Sequence, residues 1–160
     1  MPDIFYRCGE MKYAIIIALL IPALTSCQEQ KPAELSVSEG WTRPTVAAGQ
    51  VAAVYLTIEN PGAQSDRLIS VSTGIGSASL HETSMTQGVM RMRPVAALDV
   101  PANGSVKLAP GGKHIMIEGL RAPLREKEAF TVKLGFVVSG DKDVRVTVAA
   151  ADAAPEEHEH

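Results

Sequence analysis

Gly112-Lys113-His114-Ile115-Met116-Ile117-Glu118 alternates its side chains by parity, with His114 and Met116 on one register and Ile115 and Ile117 on the other. A period of two is that of a β-strand, whose side chains point in turn to opposite faces. The isoleucines therefore face a core. His114 and Met116 share the other face, roughly 6.6 Å apart along the strand, so one strand carries both packing and chemistry.

The same reading extends outward. Val89-Met90-Arg91-Met92-Arg93 puts Met90 and Met92 on one face, opposite two arginines, and His81 follows Ser79-Leu80. Strand candidates recur at short intervals: Leu35 to Thr42, Val51 to Glu59, Arg67 to Thr73, Ala78 to Met85, Val89 to Leu98, Ser105 to Leu108, Lys113 to Leu120, Ala129 to Val138 and Val144 to Ala149. Turn residues separate them, as in Asn60-Pro61-Gly62, Gly74-Ile75-Gly76, Thr86-Gln87-Gly88, Pro110-Gly111-Gly112 and Ser139-Gly140-Asp141. No stretch longer than a turn or two has helical periodicity. The expectation is an all-β Greek-key β-sandwich.

The 160 residues allow one domain, and a net charge of −3 with scattered Lys and Arg gives no basic stripe for nucleic acid. Near the N-terminus, Tyr13 to Leu24 is an apolar run too short to span a bilayer comfortably and suited to an export signal. It ends in Leu24-Thr25-Ser26-Cys27, which resembles the bacterial lipoprotein cleavage box, so residues 1–27 are expected to be an export signal and Cys27 the lipidated residue. Acyl chains there would hold the protein to a membrane. Residues 28–34 read as a tether and 35–149 as the folded domain. Residues 150–160 read as an acidic, disordered tail; a solvated tail is the default, with weak capture of Cu(II) or Zn(II) by His158 and His160 the alternative.

Both cysteines, Cys8 and Cys27, precede the domain, which excludes an internal disulfide, a CxxC redox pair and a thiolate metal site. What remains is a soft, neutral donor set. His81 and Met92 are separated by ten residues, Met92 and His114 by twenty-one, and His114 and Met116 by one. Two imidazoles and two thioethers suit Cu(I), whereas Mg, Ca and Mn prefer oxygen, and zinc prefers Cys, His or carboxylate. Three strands would supply the four residues.

That spacing resembles the signature of the periplasmic copper chaperones of the PCuAC type, His-x10-Met-x21-His-x-Met. The resemblance extends to Trp41-Thr42-Arg43-Pro44, Asp66-Arg67-Leu68, Gly88 to Arg93 and Pro110 to Met116, over roughly residues 36–149. It implies a cupredoxin-like fold, His81, Met92, His114 and Met116 as Cu(I) ligands, and no enzymatic activity. It also implies a periplasmic or cell-envelope location, and delivery of copper to an oxidase subunit or its assembly factor at the dinuclear copper centre.

Each residue alone has a blander reading, since methionine usually fills cores and a lone histidine is usually packed or on the surface. Met85 and Met90 lie outside the signature; core packing is their default, with secondary metal contact the alternative. Trp41 and Tyr55 read as core, with a ligand platform as the other option. Two further function classes compete. A blue-copper electron carrier would need a Cys thiolate that the domain lacks, and a metal-free structural or adhesion lipoprotein would make the spacing accidental. The protein is expected to be a monomer.

Overall fold

In a computed structural model of the chain, residues 35–150 are described. The export run, Cys27, the tether and the tail histidines His158 and His160 lie outside them. Among the described residues there is no helix, and none is available to cross a membrane. Eleven strands form in chain order: β1 (Ser36–Val37), β2 (Gly40–Thr42), β3 (Ala52–Asn60), β4 (Asp66–Thr73), β5 (Ser77–Thr86), β6 (Val89–Pro94), β7 (Leu98–Val100), β8 (Gly104–Leu108), β9 (Lys113–Glu118), β10 (Ala129–Phe136) and β11 (Gly140–Val148).

Nine of them run side by side in the order β6-β5-β9-β3-β2-β11-β10-β4-β7, while β1 and β8 add to β3. The central strand β3 serves two neighbourhoods. Its first half pairs with β9 and β2, and its second half pairs with β8 and β1. All pairings are antiparallel except β2 with β11, so the fold is an all-β, mixed, cupredoxin-like sandwich.

Alternation decides which face is inside. Along β3, Ala52, Val54, Leu56 and Ile58 are buried while Ala53, Tyr55 and Thr57 are half-buried. Ile115 and Ile117 of β9 are fully enclosed, as the sequence required, and they meet Leu68, Val132, Leu134, Val144 and Val146 in one continuous core. Burial of such side chains contributes roughly 1.5–3 kcal/mol each.

Several boundaries differ from the expected ones. The span Leu35 to Thr42 divides into β1 and β2, because Ser36 and Val37 pair with Glu59 and Ile58 while Trp41 pairs with Tyr55 one step out of that register. Val89 to Leu98 divides after Pro94, which has no N–H to continue the ladder; Val95 N–H donates to the Leu80 carbonyl and β7 joins β4. The turn before β11 falls at residues 137–139, with Phe136 paired to Gly140. Gly140 has φ 68, a left-handed conformation that glycine adopts without penalty. Asp66 holds this loop: its buried carboxylate accepts N–H groups from Arg67 (2.7 Å), Val138 (2.9 Å) and Ser139 (2.9 Å). Burial pushes the Asp66 pKa upward, but these hydrogen bonds outweigh it and hold the carboxyl below its ordinary value.

The turn Pro110-Gly111-Gly112 enters β9 and does more than reverse the chain. The Gly112 carbonyl accepts the Thr83 N–H at 3.0 Å, fastening β5 over the start of β9. Gly76, at the entry to β5, passes so close to β9 that a Cβ there would lie 2.6 Å from the Glu118 carbonyl oxygen. These two contacts bracket the register that places the histidines.

Candidate metal centre

In antiparallel strands, residues directly opposite each other project from the same face. His81 on β5 lies opposite His114 on β9, and Ser79 lies opposite Met116. On the other side of β5, Thr83 lies opposite Met92 of β6. Stepping by two along each strand therefore puts His81, Met92, His114 and Met116 on one face of three adjacent strands, as the sequence predicted. The same face carries Met85 and Met90, paired across the β5–β6 hairpin, and reaches Ala53 and Tyr55 on β3 and Trp41 on β2.

The two imidazoles are neighbours, with ring centroids 6.1 Å apart and planes inclined by 33°. A metal–nitrogen bond of about 2.0 Å plus about 1.1 Å from nitrogen to ring centre allows two rings on one ion to sit up to about 6.3 Å apart. The observed spacing fits a shared ion.

His114 is oriented from behind. Its Nδ1 lies 3.1 Å from the Gly112 carbonyl, which can only accept, so Nδ1 carries the proton and Nε2 keeps its lone pair for a ligand. The ring is buried, and Tyr55 lies against it at a centroid distance of 6.4 Å. Tyr55 in turn stacks on Trp41 at 4.6 Å. Burial raises the Tyr55 pKa, opposed by the Arg43 guanidinium, so the phenol stays neutral beside the site at physiological pH.

His81 is incompletely satisfied. Its Nε2 meets the Ser79 hydroxyl at 3.1 Å, but Nδ1 is buried with no hydrogen-bond partner, alone among the buried side-chain nitrogens and oxygens of the described residues. An orphaned buried polar atom costs about 1–3 kcal/mol, a loss that a bond made to that nitrogen would offset.

The sulfurs are the accessible part. Met116 is half-buried between the small neighbours Ala53 and Ser79, and Met92 is 55% exposed on the edge strand. Apart from Glu118 at the end of β9, the charged residues of these strands fall on the opposite parity, where Glu82 pairs with Arg93 at 3.5 Å and Lys113 at 3.4 Å. Among the described residues no three of His, Cys, Asp and Glu gather as a metal site, so any ion held here depends on thioethers. The candidate ligands are all neutral.

Two expectations need correction. Trp41 and Tyr55 are not core: they lie half-buried on the outer face, because β2 and β3 turn the odd-numbered residues of this stretch away from the interior. Met85 and Met90, expected to pack inside, are 68% and 65% exposed, since β6 is an edge strand with no layer over that face. The aromatic flank of His114 is the part of the site that the sequence reading ranks second, as the ligand-platform option for Trp41 and Tyr55. The parity of Trp41 and Tyr55 against buried Thr42 and Val54 was the signal for it.

Relatives agree with this architecture. A Leifsonia xyli subsp. xyli protein named as a putative lipoprotein is 29% identical over 157 residues, covering 91% of this chain and 93% of its own. A Rickettsia prowazekii (strain Madrid E) protein is 34% identical over 128 residues, covering 74% of this chain and 69% of its own. Among solved structures, the chain superposes on the copper-bound PCuAC domain from PmoF2 with a TM-score of 0.62 at 21% identity, covering 75% of this chain and 96% of that one. Apo-DR1885 from Deinococcus radiodurans gives 0.56 at 23% identity, with 94% of each chain covered. Residues 35–148 match the family described as "Putative lipoprotein LpqE-like". The chain thus belongs to the LpqE-like family and has the fold of PCuAC domains.

Proposed function

We propose that this protein is a Cu(I) carrier of the cell envelope, with His81, Met92, His114 and Met116 as the ligands. The observation that carries the reading is the convergence of four neutral, soft donors on one sheet face, centred on a histidine whose buried nitrogen has no other partner. Neutral ligands leave the bound ion with only its own single charge. Exposed thioethers can be displaced stepwise, so the ion passes to a partner by ligand exchange without changing oxidation state. The buried His114 is the fixed end of the site and Met92 its movable end.

The carrier is held to a membrane through Cys27, in the periplasm or an equivalent envelope space, and acts as a monomer. Its recipient is a copper-accepting oxidase subunit or the assembly factor that serves one. The lipoprotein description of the family and of the Leifsonia relative supports the anchor, and the copper-bound proteins of the same fold support the cargo. In this reading the protein acts as a carrier and not as an enzyme, since capture and release of the ion require no chemical conversion.

The test is competition for Cu(I) against a chromophoric chelator, with the unaltered chain, His114→Ala and Met85→Leu side by side. The expected outcome is a large loss for His114→Ala and none for Met85→Leu. Equal losses would refute the ligand assignment, and an unaltered chain that takes no Cu(I) would leave the metal-free structural reading.

A further inference from the structure

The described residues contain four methionines, Met85, Met90, Met92 and Met116, and none is in the core, which is built of Leu, Ile, Val, Ala and Phe. Methionine's ordinary use is to fill irregular interior space. Here all four project from one face, and three of them sit more than half exposed on the β5–β6 hairpin, where large apolar side chains are a liability at a sheet edge. Packing does not account for them.

The hairpin fixes their register. Gln87 and Gly88, at φ 53 and 77, close the hairpin through a two-residue turn of left-handed residues, the type that best holds antiparallel strands in register. Met85 and Met90 are opposite each other, with Cβ atoms ~5 Å apart, and Met92 is diagonal to Met85 at roughly 7–8 Å. Metal–sulfur bonds in proteins run about 2.3 Å, and three rotatable bonds per side chain let all three sulfurs close on one ion. Neither hairpin strand carries a carboxylate on this face, and Glu118 lies at the far end of β9 opposite Ser77, so a hard cation finds nothing beside the three sulfurs to hold it.

We propose that Met85, Met90 and Met92 form a second, outer site for a soft monovalent ion, Cu(I) or its probe Ag(I), and that Met92 belongs to both sites. The outer site stands on the thioether geometry alone; its role as an antechamber rests on the carrier reading. An arriving ion is first caught by the exposed hairpin sulfurs. Met92 then keeps its bond while Met85 and Met90 are exchanged for His81, His114 and Met116. Two sulfur bonds are broken and two nitrogen bonds and one sulfur bond are formed, so the ion passes from three ligands to four, and no electron moves. Because Met92 serves one ion at a time, occupying the inner site leaves only two sulfurs outside, and the outer affinity falls.

The experiment follows the methionine methyl resonances of the full chain, 13C-labelled at those methyls, during anaerobic titration with Ag(I). In the His81→Ala/His114→Ala chain the methyls of Met85, Met90 and Met92 are expected to shift together, saturating at one equivalent, while Zn(II) moves none. Adding Met85→Leu and Met90→Leu, which conserve volume, abolishes the Met92 response. With the histidines intact, the same two leucines slow Cu(I) uptake from its bicinchoninate complex severalfold and leave the equilibrium affinity unchanged. Unmoved Met85 and Met90 methyls in the histidine-less chain would overturn the outer site. If Met92 and Met116 still respond in the unaltered chain, the inner site survives that result; if no methyl responds there, both readings fall.

Discussion

Gly74 and Gly76 stand two residues apart in the same loop, yet alanine should act oppositely at the two positions. A Cβ at Gly74 would meet nothing within 4 Å, whereas one at Gly76 would lie 2.6 Å from the Glu118 carbonyl oxygen and 2.8 Å from Ile117 Cγ2. Neither glycine has a left-handed φ. Both substitutions therefore share the gain of about 0.4–1 kcal/mol from a less flexible unfolded chain. Only Gly76→Ala forces β5 away from β9, an overpacking cost of about 1–3 kcal/mol. The difference between the variants isolates the steric part. At roughly 3–6 °C per kcal/mol for a domain of this size, Gly76→Ala should melt several degrees below Gly74→Ala. Denaturation followed through Trp41, the single tryptophan, reads both the midpoint and, from the slope, two-state behaviour. Since Ser77 begins the ladder that leads to His81 opposite His114, Gly76→Ala should also weaken Cu(I) binding while Gly74→Ala leaves it intact. Equal stabilities would refute the claim that this close approach sets the β5–β9 register.

Other outcomes follow from single contacts. Asp66→Asn keeps an acceptor oxygen but sets an amide against the Ser139 N–H, and should cost about 1.5–3 kcal/mol by urea denaturation, the range for hydrogen bonds to a charged group. Asp66 has its carboxyl pKa lowered by folding, so its contribution is complete above the ordinary carboxylate value of about 3.9 and is lost as pH falls through the depressed one. Stability measured across pH 2 to 6 should accordingly fall less at the acid end in Asp66→Asn than in the unaltered chain. Lys127 has φ 67, so Lys127→Gly relieves a left-handed strain of about 1–2 kcal/mol, less the extra freedom of glycine when unfolded, for a small net gain in melting temperature. Ile115→Ala, at a position with no solvent exposure between the two candidate ligands of β9, should lose about 2–5 kcal/mol.

Much of this was legible in the residues because strand parity is a local property. Ile115 and Ile117 facing inward and His114 and Met116 facing outward needed only the period of two, and the three-strand composition of the site followed from where His81 and Met92 lay. What could not be read was pairing. Leu35 to Thr42 looks like one strand, and only the step in register against β3 divides it. Val89 to Leu98 reads as one strand across Pro94, and the transfer of Leu98 to β4 depends on a partner thirty residues upstream in sequence. The exposure of Met85 and Met90 is a consequence of β6 ending the sheet, a fact of topology that no composition rule carries. The Gly112 carbonyl that orients His114 is likewise visible only once the turn has a shape.

The parallel contact between β2 and β11 has a consequence for how the chain reaches this state. Gly40 meets Val146 and Thr42 meets Val148, across more than a hundred residues, and the Ala149 N–H closes on the Thr42 carbonyl. Loop-closure entropy for such a distant contact must be overcome before the pairing stabilises anything, which makes assembly slow and cooperative. Until the final strand arrives, β2 and β10 each keep a bare margin, so a chain cut short near Ser139 would lack the piece that joins the two sides of the sheet and would have no way to complete the domain.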